Sequence, residues 1–327
     1  MLTAAEYIHA ILAAPRSLHR QRLLQQACNG LTPGELTGLY LELSAIGGAE
    51  LCALAPYFKY FTSQRAQRRM RGQQLHAHPV DGTAQLYTDD TCQKPNKRLY
   101  ILFSGEFGQF FLPGAMVLDI LPPGPKDVLV LRAGQNGHYR FGMPPLGDTA
   151  YQVAQKLAHT YETAQYDHIT LLGVSASGFF AQRVAEFLQA QIAISFAGVI
   201  IADFYQLPAV SEQGITAFDP TCDCHRGGKL RRINVIGSKN ERDNVHSNRI
   251  RKMRPDMIEA HLINSGTHDV LKRLARFHLA GAFMRLALAE TGWPFVVISW
   301  PFTWYGRFVR LTRKVFGLQK LHPSQRF

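Results

Sequence analysis

The sequence contains no long apolar run, which argues against a membrane-spanning protein. It also contains few cysteines, which argues against a disulfide-rich one. Its uninterrupted apolar stretches, such as residues 295–298, fall far short of the roughly 20 residues that a transmembrane helix needs. The opening 14 residues have no basic segment ahead of their apolar positions and repeat with a helical period, so a signal peptide is not expected. Five cysteines scattered over 327 residues fit reduced thiols better than a disulfide framework. We therefore expect a cytoplasmic protein.

Metal ligands are also sparse. Cys222, Cys224 and His225 lie together, but a single residue between the cysteines is tighter than the spacing of structural zinc loops. No second ligand pair follows, so the segment is interpreted as a plain loop. No metal and no other cofactor is predicted.

The net charge of +12 indicates an acidic partner without identifying it. One basic stretch contains Arg65, Arg68, Arg69 and Arg71. Nucleic acid, an anionic membrane and an acidic substrate would all suit such a charge. Because no nucleic-acid-reading motif is recognisable, nucleic-acid binding is the least expected of the three.

The C-terminal tail, residues 293–327, has no acidic residue. Its basic residues are Arg307, Arg310, Arg313, Lys314, Lys320 and Arg326. On a helix, one face would carry Trp304, Phe308, Leu311 and Val315. Aromatic side chains on one face and cations on another favour a helix lying in an anionic membrane interface. The alternative is a C-terminal helix that packs on the protein's own core or on another subunit.

Hydrophobic periodicity divides the chain into three parts. Residues 1–75 have the apolar spacing of three or four helices, and Thr32, Pro33 and Glu35 match a helix N-terminus. This part carries no evident chemistry and is interpreted as a cap or docking domain. Residues 76–290 form an α/β domain, and residues 291–327 are the basic amphipathic tail.

Short apolar runs alternate with longer helical segments from about Leu99, which predicts an α/β fold with a mostly parallel sheet. The predicted strands are 99–103, 128–132, 169–173, 193–198, 233–236 and 258–263. The predicted helices are 110–121, 149–162, 178–190, 244–253 and 270–289. Ligands of such sheets bind at the carboxyl ends of the strands.

The segment from Gly173 to Ser177 has the pattern of a nucleophile elbow, a strained turn between a strand and a helix. The residues two before and two after the nucleophile must be small, which Gly173 and Ser177 satisfy around Ser175. With Ser177 as the nucleophile, Phe179 would occupy one of these crowded positions. Ser175 is therefore the better candidate.

A serine nucleophile needs a base and an orienting acid. His268 lies in a loop between the last predicted strand and a helix, whereas His246 and His261 lie within regular elements and are poorer bases. Asp243 is the first choice for the acid and Glu241 the second. The alternatives are an ordinary surface histidine and a solvated acidic turn or helix N-cap.

These residues give the stretch from Leu99 to about Leu279 a resemblance to the α/β-hydrolase superfamily, whose chain order is serine, acid, histidine. The resemblance implies an α/β-hydrolase-like, mostly parallel sheet flanked by helices, and a serine hydrolase or acyltransferase. It also implies an oxyanion site made by the backbone N–H of Ala176 and of Gly105 or Glu106. Two departures are Ser177, where the usual pattern has glycine, and Asn240, where many members carry aspartate.

The long loop of residues 134–148 is expected either to line or cover the substrate pocket with His138, Tyr139 and Arg140, or to be merely a mobile connection. The basic, aromatic tail favours an ester of a lipid or of an acylated glycan as substrate. A catalytically silent scaffold of the same fold is the alternative. The acyl group, its acceptor and the oligomeric state stay open.

Overall fold

The computed structural model describes residues 2–14, 17–46, 75–80, 83–105, 110–132, 139, 142–199, 230–237, 239–253, 258–263, 265–276 and 279–288. Several residues singled out above lie outside these ranges: the basic stretch at 65–71, Glu106, His138, Arg140, the cysteines and histidine at 222–225, and the tail 293–327. Among the described residues, no helix is both long and apolar enough to cross a membrane.

The centre of the described chain is an eight-stranded mixed sheet with the order β1-β2-β4-β3-β5-β6-β7-β8. The strands are β1 (Leu75–Pro79), β2 (Ala84–Asp89), β3 (Arg98–Phe103), β4 (Lys126–Leu131), β5 (His168–Val174), β6 (Ile192–Phe196), β7 (Arg231–Gly237) and β8 (Ile258–Ile263). The pairs β1–β2 and β2–β4 are antiparallel, and every other pair is parallel. The expected mostly parallel α/β sheet is confirmed.

The parallel strands form where the sequence has near-continuous apolar runs, because both of their faces are buried. Alternate side chains of β3 enter opposite cores: Tyr100 and Leu102 enter one, and Leu99, Ile101 and Phe103 the other. All six predicted strands are present, and β8 has the predicted bounds. The antiparallel strands β1 and β2 were not predicted.

Nine α-helices lie in the described ranges. They are α1 (Ala4–Ala13), α2 (Ser17–Gly30), α3 (Pro33–Ile46), α4 (Gly114–Ile120), α5 (Ala150–Tyr161), α6 (Gly178–Phe187), α7 (Glu241–Met253), α8 (Val270–Arg276) and α9 (Ala280–Ala287). The prediction of one helix over 270–289 is wrong. The N–H of Leu279 donates to the carbonyl of Leu274 at 2.9 Å, a six-residue closure that ends α8 before α9 begins.

Helices α1–α3 belong to the same hydrophobic core as one face of the sheet. Tyr7 and Leu39 are buried there with Val130 of β4 and Leu172 of β5. The predicted N-terminus of α3 is confirmed as a capping box: the Thr32 hydroxyl accepts from the Glu35 N–H at 3.3 Å, and the Glu35 carboxylate accepts from the Thr32 N–H at 2.8 Å. The N-terminal helices are therefore packed on the sheet.

The C-terminus of α2 is fastened to the sheet through its last carbonyl groups, which have no partner within a helix. The Gly30 carbonyl accepts from the Tyr87 hydroxyl and from the Gln85 amide, each at 2.9 Å. The Asn29 carbonyl accepts from the Arg132 guanidinium at 2.5 Å. A cation at a helix C-terminus also complements the helix dipole.

Buried ionic groups lie at the amino ends of β3 and β4. The Lys97 ammonium donates to Asp127 at 3.0 Å, and the Tyr166 hydroxyl donates to the other oxygen of the same carboxylate at 2.7 Å. Lys126 is 1% exposed and donates to the carbonyls of Pro122 and Gly124 at 2.8 and 3.3 Å. Burial lowers the pKa of Lys126 from 10.5 to about 8, and the nearby carboxylates only partly oppose this.

We predict that Lys126 makes the stability of the fold depend on pH. Its pKa is lower in the folded chain, so between about pH 8 and pH 10.5 the unfolded chain binds more protons and the free energy of unfolding rises with pH. Relative to Lys126→Met, the wild type should gain about 2–3 kcal/mol between about pH 7.5 and pH 10 in urea unfolding. The matched control, Lys156→Met at an exposed position, should follow the wild type. A pH-independent difference for Lys126→Met would contradict the burial argument.

Candidate active site

Ser175 occupies the turn between β5 and α6. It begins a 3₁₀ turn, Ser175–Ser177, that leads directly into α6. Its φ is +51°, in the left-handed region that non-glycine residues seldom adopt. Such local strain is concentrated at functional sites. The strained turn places a half-buried serine at the carboxyl edge of the sheet.

The crossing of β5 and α6 permits no side chain at Gly173, and the approach of α6 to the end of β6 and the segment after it permits none at Gly178. A Cβ on Gly173 would lie 2.4 Å from the carbonyl oxygen of Ser177, and one on Gly178 would lie 2.6 Å from the Cα of Gly198. Ser177 itself is 0% exposed, and its hydroxyl accepts from the Val174 N–H at 2.9 Å. The strict demand for glycine therefore falls on 173 and 178, and a serine fits at 177.

His268 makes hydrogen bonds with both of its ring nitrogens. Its Nε2 lies 2.7 Å from the Ser175 Oγ, and its Nδ1 lies 2.7 Å from the Asp243 Oδ1. A neutral imidazole that carries its proton on Nδ1 satisfies both contacts, because the serine then donates to Nε2 and Nδ1–H donates to the carboxylate. The three residues that the sequence singled out thus lie in one hydrogen-bonded chain.

Asp243 lies in the first turn of α7, because that helix begins at Glu241 and not at the predicted Asn244. Its side chain is 0% exposed. The Asn240 side chain caps the helix by accepting from the Asp243 N–H at 3.1 Å. The positive end of the helix dipole stabilises the buried carboxylate. Glu241 is exposed, and the described acceptor for the His268 Nδ1–H is Asp243 and not Glu241.

The loop ahead of His268 is held by short-range hydrogen bonds. The Thr267 N–H donates to the Ser265 hydroxyl at 3.1 Å, and the two hydroxyls lie 2.9 Å apart. The Ser265 carbonyl accepts from the Lys239 N–H at 3.0 Å, which joins this loop to the loop after β7. These contacts connect the segments that carry the histidine and the aspartate.

Phe111 is a site residue that the sequence argument missed. Its ring meets the His268 ring edge to face, with centroids 5.3 Å apart and planes at 81°. Its φ is +63°, unusual for a bulky residue. The predicted helix over 110–121 is wrong at its start, because α4 begins at Gly114 with Pro113 at its N-cap. That proline was the available signal, since a residue before proline avoids helical geometry.

The remaining predicted residues that the structure describes are the oxyanion candidates Ala176 and Gly105 and the pocket candidate Tyr139. Ala176 lies in the 3₁₀ turn directly after Ser175, and Gly105 lies two residues beyond the end of β3. Tyr139 was expected to line the substrate pocket, but it is 4% exposed and its ring packs against Phe103 and Phe180. Its described contacts are therefore with the core.

The described residues also bear on metal binding. In those ranges, no group of three or more histidine, cysteine, aspartate or glutamate side chains could hold an ion. The Asp243 Oδ2 is buried and accepts no hydrogen bond from the residues that the structure describes. One carboxylate atom and one imidazole do not make a metal site.

The fold and the site together define a class of protein. The strained serine follows β5, the acid follows β7 and the histidine follows β8, so the chain order is serine, aspartate, histidine. With the mixed sheet and its flanking helices, this is the architecture that the α/β-hydrolase resemblance implied. The chain therefore has an α/β-hydrolase fold.

Several solved structures that are similar to the chain are hydrolases or esterases. The 2,6-dihydroxy-pseudo-oxynicotine hydrolase has 14% identity and a TM-score of 0.47, covering 89% of this chain and 90% of its own. Dienelactone hydrolase from Anabaena variabilis has 14% identity and a TM-score of 0.45, covering 65% and 96%. S-formylglutathione hydrolase from Staphylococcus aureus has 11% identity and a TM-score of 0.42, covering 65% and 99%.

No protein-family model and no curated protein sequence matches the chain.

We predict that the Asn240 cap stabilises the fold. Asn240→Ala should lower the free energy of unfolding by about 1 kcal/mol, because the N-terminal turn of α7 loses its side-chain acceptor. Asn248→Ala is the matched control, since Asn248 is exposed within the same helix and should be neutral or slightly stabilising when replaced. Urea unfolding of both variants measures the difference. Equal effects of the two substitutions would show that the Asn240 side chain does not stabilise the N-terminus of α7.

Proposed function

We propose that the chain is a serine hydrolase that cleaves an ester through a covalent acyl-enzyme. The observation that carries this is the relay in which the His268 ring lies 2.7 Å from both the Ser175 hydroxyl and the Asp243 carboxylate. A nucleophile, a base within hydrogen-bond reach and a buried group that orients the base are the parts that acyl transfer requires. A silent scaffold would have no need for this geometry.

In the first half-reaction, the Ser175 Oγ attacks the ester carbonyl carbon while His268 Nε2 takes the hydroxyl proton. Asp243 keeps the ring in orientation and stabilises the imidazolium that forms. The carbonyl oxygen becomes an oxyanion, for which the backbone N–H groups of Ala176 and Gly105 are the proposed donors. The intermediate then expels the alcohol, which receives the proton from His268, and leaves the acyl group on Ser175.

In the second half-reaction, an acceptor attacks the acyl carbon while His268 takes its proton. The bond between the acyl carbon and the Ser175 Oγ then breaks, and His268 returns the proton to the serine. Water as acceptor gives a carboxylic acid, and an alcohol as acceptor gives a new ester. Both outcomes use the same relay, so a hydrolase and an acyltransferase share these residues. An ester of a lipid or of an acylated glycan is the proposed substrate class, and it is supported by the composition of the tail.

We predict that Ser175 is the residue that a fluorophosphonate probe labels. Ser175→Ala should abolish labelling and reduce hydrolysis of a p-nitrophenyl ester by at least about 10³-fold, because the nucleophile is gone. Ser44→Ala is the matched control, since Ser44 is an exposed serine on α3 and its loss should change neither result. If the folded wild type is not labelled by the probe, the proposal that the chain is a serine hydrolase is refuted. If the Ser175→Ala variant is still labelled, Ser175 is not the nucleophile.

We also propose that the tail binds an anionic membrane surface. Changing Arg307, Arg310 and Lys314 to glutamate should abolish co-sedimentation with vesicles that contain anionic lipid, because the attraction of a basic segment is lost. The matched control changes Arg65, Arg68 and Arg69 to glutamate and should keep binding. Equal binding by the tail variant and the wild type would remove the membrane proposal. Salt-sensitive retention of an oligonucleotide in place of vesicles would instead favour nucleic acid.

A further inference from the structure

Two buried hydroxyl groups hold the segment that follows β3. The Ser177 hydroxyl donates to the Phe103 carbonyl at 2.7 Å while it accepts from the Val174 N–H at 2.9 Å. The Tyr139 hydroxyl donates to the Ser104 carbonyl at 2.7 Å. Two successive carbonyls at the end of β3 thus receive a hydrogen bond from a side chain that belongs to another part of the chain.

The Ser177 bond lies where the ladder between β3 and β5 ends. Phe103 and Gly173 are the last paired residues of these parallel strands. Beyond that pair, one strand continues into Gly105 and the other into the turn that contains Ala176. The Ser177 hydroxyl bridges the two diverging segments, so it links the backbone that carries one proposed oxyanion donor to the backbone that carries the other.

The Tyr139 hydroxyl is held in place by the packing of its own ring. Its ring packs edge to face on Phe103, with centroids 6.2 Å apart, and tilted on Phe180, with centroids 5.1 Å apart. Because the ring is 4% exposed, its hydroxyl has a restricted position. The Ser104 N–H also donates to the Leu131 carbonyl at 2.9 Å. Ser104, the residue directly before Gly105, is therefore held by both its N–H and its carbonyl.

Oxyanion stabilisation depends on such fixed geometry. A donor acts when it is about 2.7–3.1 Å from the position that the oxyanion will occupy, and losing one donor costs about 10²–10³ in kcat. A glycine at 177, as in the usual pattern, would supply no hydroxyl to join the two segments. The departure from the pattern thus adds a connection between them.

We propose that Ser177 and Tyr139 are positioning residues whose hydroxyls set the distance between the two oxyanion donors. The inference rests on the proposed function, because it assigns a role within that reaction. Neither side chain touches the substrate. Each acts through the carbonyl that it binds, at Phe103 and at Ser104.

The test compares Ser177→Ala, Ser177→Gly and Tyr139→Phe with the wild type, using a p-nitrophenyl ester and a trifluoromethyl ketone. The ketone adds to the nucleophilic serine and forms an oxyanion, so its affinity reports on the donors. Each variant should lower kcat per labelled active site by about 10–100-fold with KM changed less than about 2-fold. The affinity for the ketone should fall by the same factor as kcat.

Tyr151→Phe is the matched control, because Tyr151 is exposed on α5 and its hydroxyl lies outside the site. It should leave kcat and ketone affinity unchanged. If Ser177→Ala fails to fold, Tyr139→Phe still carries the test, since it keeps the ring and its packing.

An unchanged kcat per labelled site, or a lower kcat with unchanged ketone affinity, would overturn the inference. Either result would leave a purely structural role for the two hydroxyls. Such a failure is distinct from failure of the proposed function, in which the wild type itself would neither react with the probe nor turn over the ester.

Discussion

The close crossing of β5 and α6 is the constraint on which the rest of the site depends. The chain turns from strand to helix within three residues, and a Cβ on Gly173 would lie 2.4 Å from the Ser177 carbonyl oxygen. Ser175 is forced to a φ of +51°, a conformation that costs on the order of 1–3 kcal/mol and persists only when its surroundings hold it. The Val199 N–H donates to the Ser175 carbonyl at 3.2 Å, and Gly178 lies against Gly198. The contacts of Ser175 and Gly178 with the segment that follows β6 thus maintain the strained serine.

The parallel sheet brings Ser175, His268 and Asp243 into hydrogen-bonding distance although they are far apart in the sequence. Ser175 and His268 are 93 residues apart along the chain, and Asp243 and His268 are 25 apart. They meet because β5, β7 and β8 run in the same direction and end at the same edge. Asp243 can be buried as an acceptor because the N-terminus of α7 and the imidazole N–H both favour negative charge there.

The parallel part of this architecture was predictable from the sequence, and the antiparallel part was not. Strands buried on both faces give apolar runs such as Ile169–Leu172, which stand out without knowledge of the fold. Strand β1 has the sequence LHAHP, with two histidines and a proline, and it forms through its pairing with β2. The contact between Phe111 and His268 was also hidden, because it joins segments 157 residues apart and leaves no local pattern. Turn geometry and strand periodicity are local, whereas edge pairing and ring contacts are set by the tertiary structure.

The serine at position 177 shows what the elbow pattern demands physically. The usual glycine is a consequence of close approach between backbones, so the demand applies wherever a Cβ would collide and nowhere else. Here the collisions fall at Gly173 and Gly178. At 177 the side chain finds a buried space with an acceptor at Phe103 and a donor at Val174, and one hydroxyl satisfies both. The departure from the pattern therefore leaves the strained turn intact, and the hydrogen bond from Ser175 to His268 forms beside it. An imperfect motif of this kind is compatible with the hydrogen-bonded chain from Ser175 through His268 to Asp243. The geometry of the turn depends on available space and satisfied polar groups and not on the identity of one glycine.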